Sequence, residues 1–155
     1  MSEPLFLHAS AVVLGETGVL IRGPSGAGKS ALALALVEDW RRAGDFAALV
    51  GDDRIAFRIA GGRGLLAPHA AIEGLAEWRG IGLVARDWEP CAVLGLLVDL
   101  EPESALPAIP RMPEESDLYC AFNGLEGVPR LRLPARALAT SVPAIRIFLQ
   151  KISAF

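Results

Sequence analysis

Eight consecutive residues, Gly23 to Ser30 (GPSGAGKS), satisfy the pattern G-x-x-x-x-G-K-[ST] at every position. Glycines at such spacing let a backbone wrap closely around phosphate oxygens with its N–H groups turned inward, where side chains would block the approach. On this reading Gly23, Pro24, Ser25, Gly26, Ala27, Gly28, Lys29, Ser30 and Ala31 cradle the phosphates of a nucleotide. Lys29 reaches the β- and γ-phosphates and the Ser30 hydroxyl holds Mg²⁺, so ATP and Mg²⁺ are the ligands implied. The chain has thirteen arginines and only two lysines, and one of those two stands here, which favours a phosphate loop over a plain glycine turn.

A phosphate loop also needs a metal-organising acid at the end of a neighbouring strand. Asp52-Asp53 stands behind the apolar run Ala47 to Val50, 22 residues after Ser30 (52 − 30). Successive side chains of a strand face opposite ways, so one of the pair is expected to face the γ-phosphate. The other is expected to anchor through Arg54 or a metal-bound water. Two acids that merely end a strand at the surface are the competing reading.

These residues need strands and a helix to hold them. Leu5 to Leu14 reads as one strand, Gly15 to Gly18 as a turn, and Val19 to Arg22 as a second strand feeding the loop. From Ser30, ALALALVEDWRR has the composition of a helix, with Gly44 as its C′ residue. Ala47 to Val50 and Arg54 to Ile59 read as strands, Gly61 to Gly64 as a turn, Ala70 to Trp78 as a short helix and Ile81 to Val84 as a strand. Cys91 to Leu100 is the candidate central buried strand. The segment 101–130, with prolines at 102, 107, 110, 113 and 129, reads mostly as loop. A helix over 141–153 places Ile145, Phe148, Leu149 and Ile152 on one face.

Composition bounds the rest. The chain has 155 residues, 52% apolar and 21% charged, enough for one compact domain over 1–155. A net charge of −3 with scattered arginines argues against nucleic acid. Cys91 and Cys120 form no metal or disulfide pattern. No signal-like start and no apolar run of about 18 residues is present, so no membrane span and a cytoplasmic location are expected.

His8 in the first strand, the GPSGAGKS loop, Gly51-Asp52-Asp53-Arg54 and Glu77-Trp78-Arg79-Gly80-Ile81-Gly82 together resemble the catalytic domain of the HPr kinase/phosphorylase family. The resemblance covers about residues 5–100, with a looser echo around Arg111 and 128–134. It implies an α/β fold of the HPr kinase/PEP-carboxykinase-like type, a mixed β-sheet flanked by helices. It implies a kinase that moves the γ-phosphoryl group of ATP to a serine of an HPr-type phosphocarrier protein. In many members the reverse also occurs, with inorganic phosphate attacking and pyrophosphate leaving. Carried over residue by residue, Asp52 becomes the base and Asp53 supports it, Lys29 and the loop hold the phosphates, and Ser30, Glu77 and Asp53 attend to Mg²⁺. His8 approaches the reacting phosphate, Arg79 braces its own loop, and Arg111 enters the site. Without the N-terminal regulatory domain of full-length members, and with LVARDWEP after Gly82, the chain resembles the short, catalytic-domain-only form of alphaproteobacteria. The family's hexamer implies a homo-oligomer, and regulation of a phosphotransferase system is the implied setting. Two other readings of the loop stay open: a small-molecule kinase or NTPase, and a nucleotide-binding regulatory module without catalysis.

Overall fold

The fold was obtained as a computed structural model and is described for residues 3–153. The strands are β1 (Leu5–Leu7), β2 (Ser10–Leu14), β3 (Thr17–Arg22), β4 (Ala47–Gly51), β5 (Ile55–Ala60), β6 (Arg63–Pro68), β7 (Leu75–Trp78), β8 (Gly82–Ala85), β9 (Ala92–Glu101), β10 (Tyr119–Phe122) and β11 (Leu125–Pro134). Helix α1 (Lys29–Arg42) follows β3, and α2 (Leu138–Ser153) follows β11. One large sheet has the order β1-β5-β6-β9-β3-β2-β4, with β11 also paired to β9 and β10 to β11. β3, β9 and β11 run parallel, while β2 is antiparallel to both β3 and β4. This is the mixed α/β architecture expected, and it brings the carboxyl ends of β3, β9 and β11 to one edge beside the glycine loop.

Two apolar layers sandwich the sheet. On one face Leu32, Leu36, Val37 and Trp40 of α1 and Ile145, Phe148 and Leu149 of α2 join Val12, Val19, Ile21, Leu49, Leu96 and Val98. On the other, Ala11, Leu20 and Leu97 pack with Ile55, Phe57, Leu66, Phe122 and Val128. Because the central strands are covered on both faces, they read as continuous apolar runs, as Cys91–Leu100 does. Helix α1 ends where Gly44 adopts φ +87°: its N–H bonds the Arg41 carbonyl and the Asp45 N–H bonds the Trp40 carbonyl, a Schellman arrangement that satisfies the last carbonyls.

Several expected elements differ. The strand expected over 5–14 is two, because the chain bends at His8 and Ala9 so that β1 joins β5 while β2 joins β3 and β4. Gly61–Gly64 is a tighter turn than expected, and β6 begins at Arg63. Ala70 to Trp78 is not a helix: a single 3-10 turn, Ala70–Ile72, is followed by a turn through Gly74 (φ +71°) and then by β7. Within the expected loop 101–130 lie two 3-10 turns, β10 and most of β11. Pro129 is compatible with β11 because it sits where the strand changes partner from β10 to β9. Helix α2 begins at Leu138, three residues before the expected start, and contains Pro143.

Gly18 is required by packing rather than by turn geometry. A Cβ there would meet the Val93 carbonyl oxygen at 2.4 Å, inside the β3–β9 contact. Gly18→Ala is therefore expected to lower stability by about 1–3 kcal/mol, seen as a lower urea midpoint with unchanged slope. An unchanged midpoint would show that β3 and β9 separate freely.

Candidate active site

The loop between β3 and α1 folds on its own hydrogen bonds. The Ala27 N–H donates to the Pro24 carbonyl at 3.0 Å, and Gly28 reaches φ +93° at the helix N-cap with no side chain capping it. The first helical N–H groups, and the positive end of the α1 dipole, thus face the loop. Lys29, 8% exposed, turns its ammonium back onto the carbonyls of Gly23 (2.9 Å) and Pro24 (3.2 Å). An anion entering the loop would draw the same ammonium outward, since carbonyl oxygens are weaker partners for it than a phosphate.

The chain reverses sharply after β4. Arg54 N–H bonds the Asp52 carbonyl at 2.7 Å across Asp53, whose φ is +65°. An i to i+2 bond around a residue of positive φ is the rarer, strained form of γ-turn, and a non-glycine residue there signals a local constraint. Its consequence is a division of the two acids. Asp52, 4% exposed, points inward. Its Oδ1 accepts from the Ser10 hydroxyl at 2.6 Å, both its oxygens accept from the Ser30 hydroxyl at 2.8 and 2.9 Å, and Oδ2 accepts from the Glu77 N–H at 3.0 Å. Asp53 points outward, its side chain 66% exposed, and takes the His8 Nε2–H on Oδ1 at 2.6 Å. Arg54 does not anchor either acid but lies 5.5 Å over the Phe6 ring.

Around these groups lies a cleft of about 400 Å³ lined by His8, Ser10, Ser25, Gly26, Gly28, Lys29, Ser30, Ala31, Asp53, Glu77, Trp78, Arg79 and Arg136. The volume suits a small polar ligand. Most of the residues singled out in the sequence therefore meet here, from the bend before β2, the loop, the turn after β4 and strand β7. Arg111 does not: it is exposed on the segment between the two later 3-10 turns and is absent from the lining.

Arg136, which no motif marked, takes the place on the wall. It stands at φ +55° between β11 and α2, its N–H on the Ala27 carbonyl at 3.0 Å and its Nη1 on the Gly26 carbonyl at 3.3 Å, so it grips the loop from outside. Ser10 likewise belongs to no motif, and Trp78 lies within the Glu77–Gly82 stretch without an expected role. The Ser10 hydroxyl's hidden role was legible only as a polar residue inside an apolar strand.

The donors for a hard cation are oxygens: the Ser30 hydroxyl, with the Glu77 and Asp53 carboxylates on the same cleft. Among the described residues no cluster of three or more His, Cys, Asp or Glu could cage an ion by itself. Mg²⁺ commonly takes one or two protein oxygens and completes its octahedron with phosphate and water, so this donor set fits it.

Fold and cleft together define an α/β protein built around a glycine loop and a helix N-terminus open to phosphate. The family is narrower. A model of the HPr Serine kinase C-terminal domain matches residues 1–87, and the chain belongs to that family. The HPr kinase/phosphorylase of Mycoplasma mycoides subsp. mycoides SC is 37% identical over 76 residues, covering 49% of this chain and 22% of that protein. The matched segment thus spans about a fifth of that relative's length. The solved Hpr(Ser) kinase/phosphatase from Coxiella burnetii has the same fold, with a TM-score of 0.75 at 21% identity over 97% of this chain and 91% of that one. No helix among the described residues is long and apolar enough to cross a membrane.

The strained turn yields a direct test. Asp53→Gly removes a non-glycine residue of positive φ and only an exposed hydrogen bond to His8, so it is expected to raise unfolding stability by about 1 kcal/mol. Urea denaturation measures this; a loss of stability would show that the His8–Asp53 contact outweighs the strain.

Proposed function

We propose that this chain transfers the γ-phosphoryl group of ATP to a serine hydroxyl of an HPr-type phosphocarrier protein. The observation that carries the reading is the exposed His8–Asp53 pair facing the glycine loop across one cleft. A general base must be reachable by the proton it takes. Asp52 is buried and both its oxygens are engaged by Ser10, Ser30 and Glu77. Asp53 is open to an incoming hydroxyl, and so we assign the base to Asp53 rather than to Asp52. His8 orients the Asp53 carboxylate and, as its Nε2–H donor, keeps one oxygen occupied while the other accepts.

The remaining residues position and neutralise. Phosphoryl transfer asks little covalent chemistry of the protein, so placement and charge carry most of the catalysis. The loop N–H groups and Lys29 hold the phosphate oxygens, with Lys29 exchanging the Gly23 and Pro24 carbonyls for them. Arg79 and Arg136, both on the cleft wall, supply guanidinium groups to the charge that spreads over the transferring phosphoryl. Ser30 and Glu77 would hold Mg²⁺, which would supply positive charge against the phosphate oxygens. In reverse, protonated Asp53 would return its proton to the departing serine oxygen, so the same residue serves both directions.

Mass spectrometry of the carrier after incubation with the protein, Mg²⁺ and ATP tests the reading. One phosphoserine is expected, reduced at least about 100-fold by Lys29→Ala and by Asp53→Asn, with nucleotide binding kept in the second variant. Phosphorylation of free metabolites with the carrier untouched would point to a small-molecule kinase. Tight ATP binding without turnover would point to a regulatory module. Full transfer by Asp53→Asn would remove the base assignment.

A further inference from the structure

We infer that Asp52 is a positioning residue that couples occupancy of the Ser30 hydroxyl to the placement of the β7–β8 hairpin over the cleft, an inference that rests on the phosphoryl-transfer reading. Among the described residues β7 and β8 pair only with each other, as a two-stranded sheet apart from the large one. A two-stranded hairpin is marginal in water on its own, so its position depends on its tethers. At its base Ala76 is buried in the core layer beneath α1, and Val84 packs partly against the same layer. Beyond Glu77 the hairpin stands in solvent, with Ile81 72% and Leu83 68% exposed. At the boundary between the held base and the open tip is the Glu77 N–H, donating to Asp52 Oδ2 at 3.0 Å.

The same carboxylate holds the Ser30 hydroxyl on its other side, at 2.8 and 2.9 Å. A hydroxyl whose oxygen ligates a cation has a more acidic proton and becomes a stronger donor. Its hydrogen bond to an ionised carboxylate is already of the stronger, charge-assisted kind. Cation at Ser30 therefore tightens the Ser30–Asp52 bond, fixes the carboxylate's rotamer and keeps Oδ2 aimed at the Glu77 N–H. Crowding at the preceding residue leaves little room for the turn to shift: a Cβ on Gly51 would meet Ile55 Cδ1 at 2.8 Å and Pro68 Cα at 3.2 Å. The hairpin carries Glu77, Trp78 and Arg79 to the cleft wall, so fixing Asp52 fixes them. The coupling is reciprocal: a seated hairpin restrains Asp52 and thereby favours cation binding at Ser30.

Amide hydrogen exchange over residues 77–84 tests this, followed by NMR with a non-hydrolysable ATP analogue, with and without Mg²⁺. Calorimetry on the same samples establishes binding. In the unaltered protein Mg²⁺ should slow hairpin exchange about tenfold, the scale of one strengthened hydrogen bond to a charged group. Asp52→Asn should exchange at one fast rate with or without the metal although the analogue binds. Ser30→Ala, which keeps the Asp52–Glu77 bond, should retain the metal-free protection and gain nothing from Mg²⁺, and Ser30→Thr should restore the gain. Equal exchange with and without Mg²⁺ in the unaltered protein, with binding confirmed, would overturn the coupling, as would a full gain in Asp52→Asn. An unaltered protein that binds no nucleotide by calorimetry would overturn the phosphoryl-transfer reading and the coupling with it.

Discussion

A carboxylate taken almost wholly out of water must be met by donors, because an unpaired buried charge costs several times what one ordinary hydrogen bond contributes. Asp52 meets this requirement with groups from three separate elements: Ser10 of β2, Ser30 of α1 and the main chain of β7. None of the three is its neighbour in sequence. The demand of one side chain therefore fixes where α1, β2 and the outlying β7–β8 hairpin stand relative to β4. Losing any one donor leaves the carboxylate less satisfied, so the arrangement resists partial change.

The same corner concentrates strain. The γ-turn at Asp53 holds a non-glycine residue at φ +65°, and Arg136 on the opposite wall stands at φ +55°. Positions of this kind persist only where the surroundings over-determine them. Here the surroundings are the buried Asp52 cluster on one side and, on the other, the bonds from Arg136 to the carbonyls of Ala27 and Gly26. The turn solves a geometric problem that a straight strand cannot. Consecutive residues of a strand alternate faces, whereas this turn sends Asp52 into the support of the cleft and leaves Asp53 on its lining.

What could be read in the sequence was what is local. GPSGAGKS, the helix behind it and the buried run of β9 depend on neighbours within a few residues, and each was visible. The division of labour between Asp52 and Asp53 was not, since neither composition nor period announces a γ-turn. β11 was hidden by its prolines and charges, and its pairing partner β9 lies about thirty residues away, Arg132 opposite Asp99. A signal was present in the alternation of Arg130, Leu131, Arg132 and Leu133. The arginines are acceptable there because Asp99 and Glu101 on β9 pair with them at 2.8 and 2.9 Å. The segment 70–78 has helix-forming residues, but Gly74 sits against the Trp88 indole with φ +71°, and tertiary contact overrides propensity. Arg136 belongs to no short pattern, and only the fold carries it to the loop.

The central claim is that the loop, Asp52 and Asp53 act as one phosphoryl-transfer site with separate duties. A crystal structure with Mg²⁺ and a non-hydrolysable ATP analogue measures it most directly. On this account Lys29 leaves the Gly23 and Pro24 carbonyls for the phosphates, Ser30 keeps its bond to Asp52 while ligating the metal, and an Asp53 oxygen faces the open side of the γ-phosphate. A nucleotide bound outside the loop, or Asp52 turned out to the γ-phosphate with Asp53 pointing away, would contradict it.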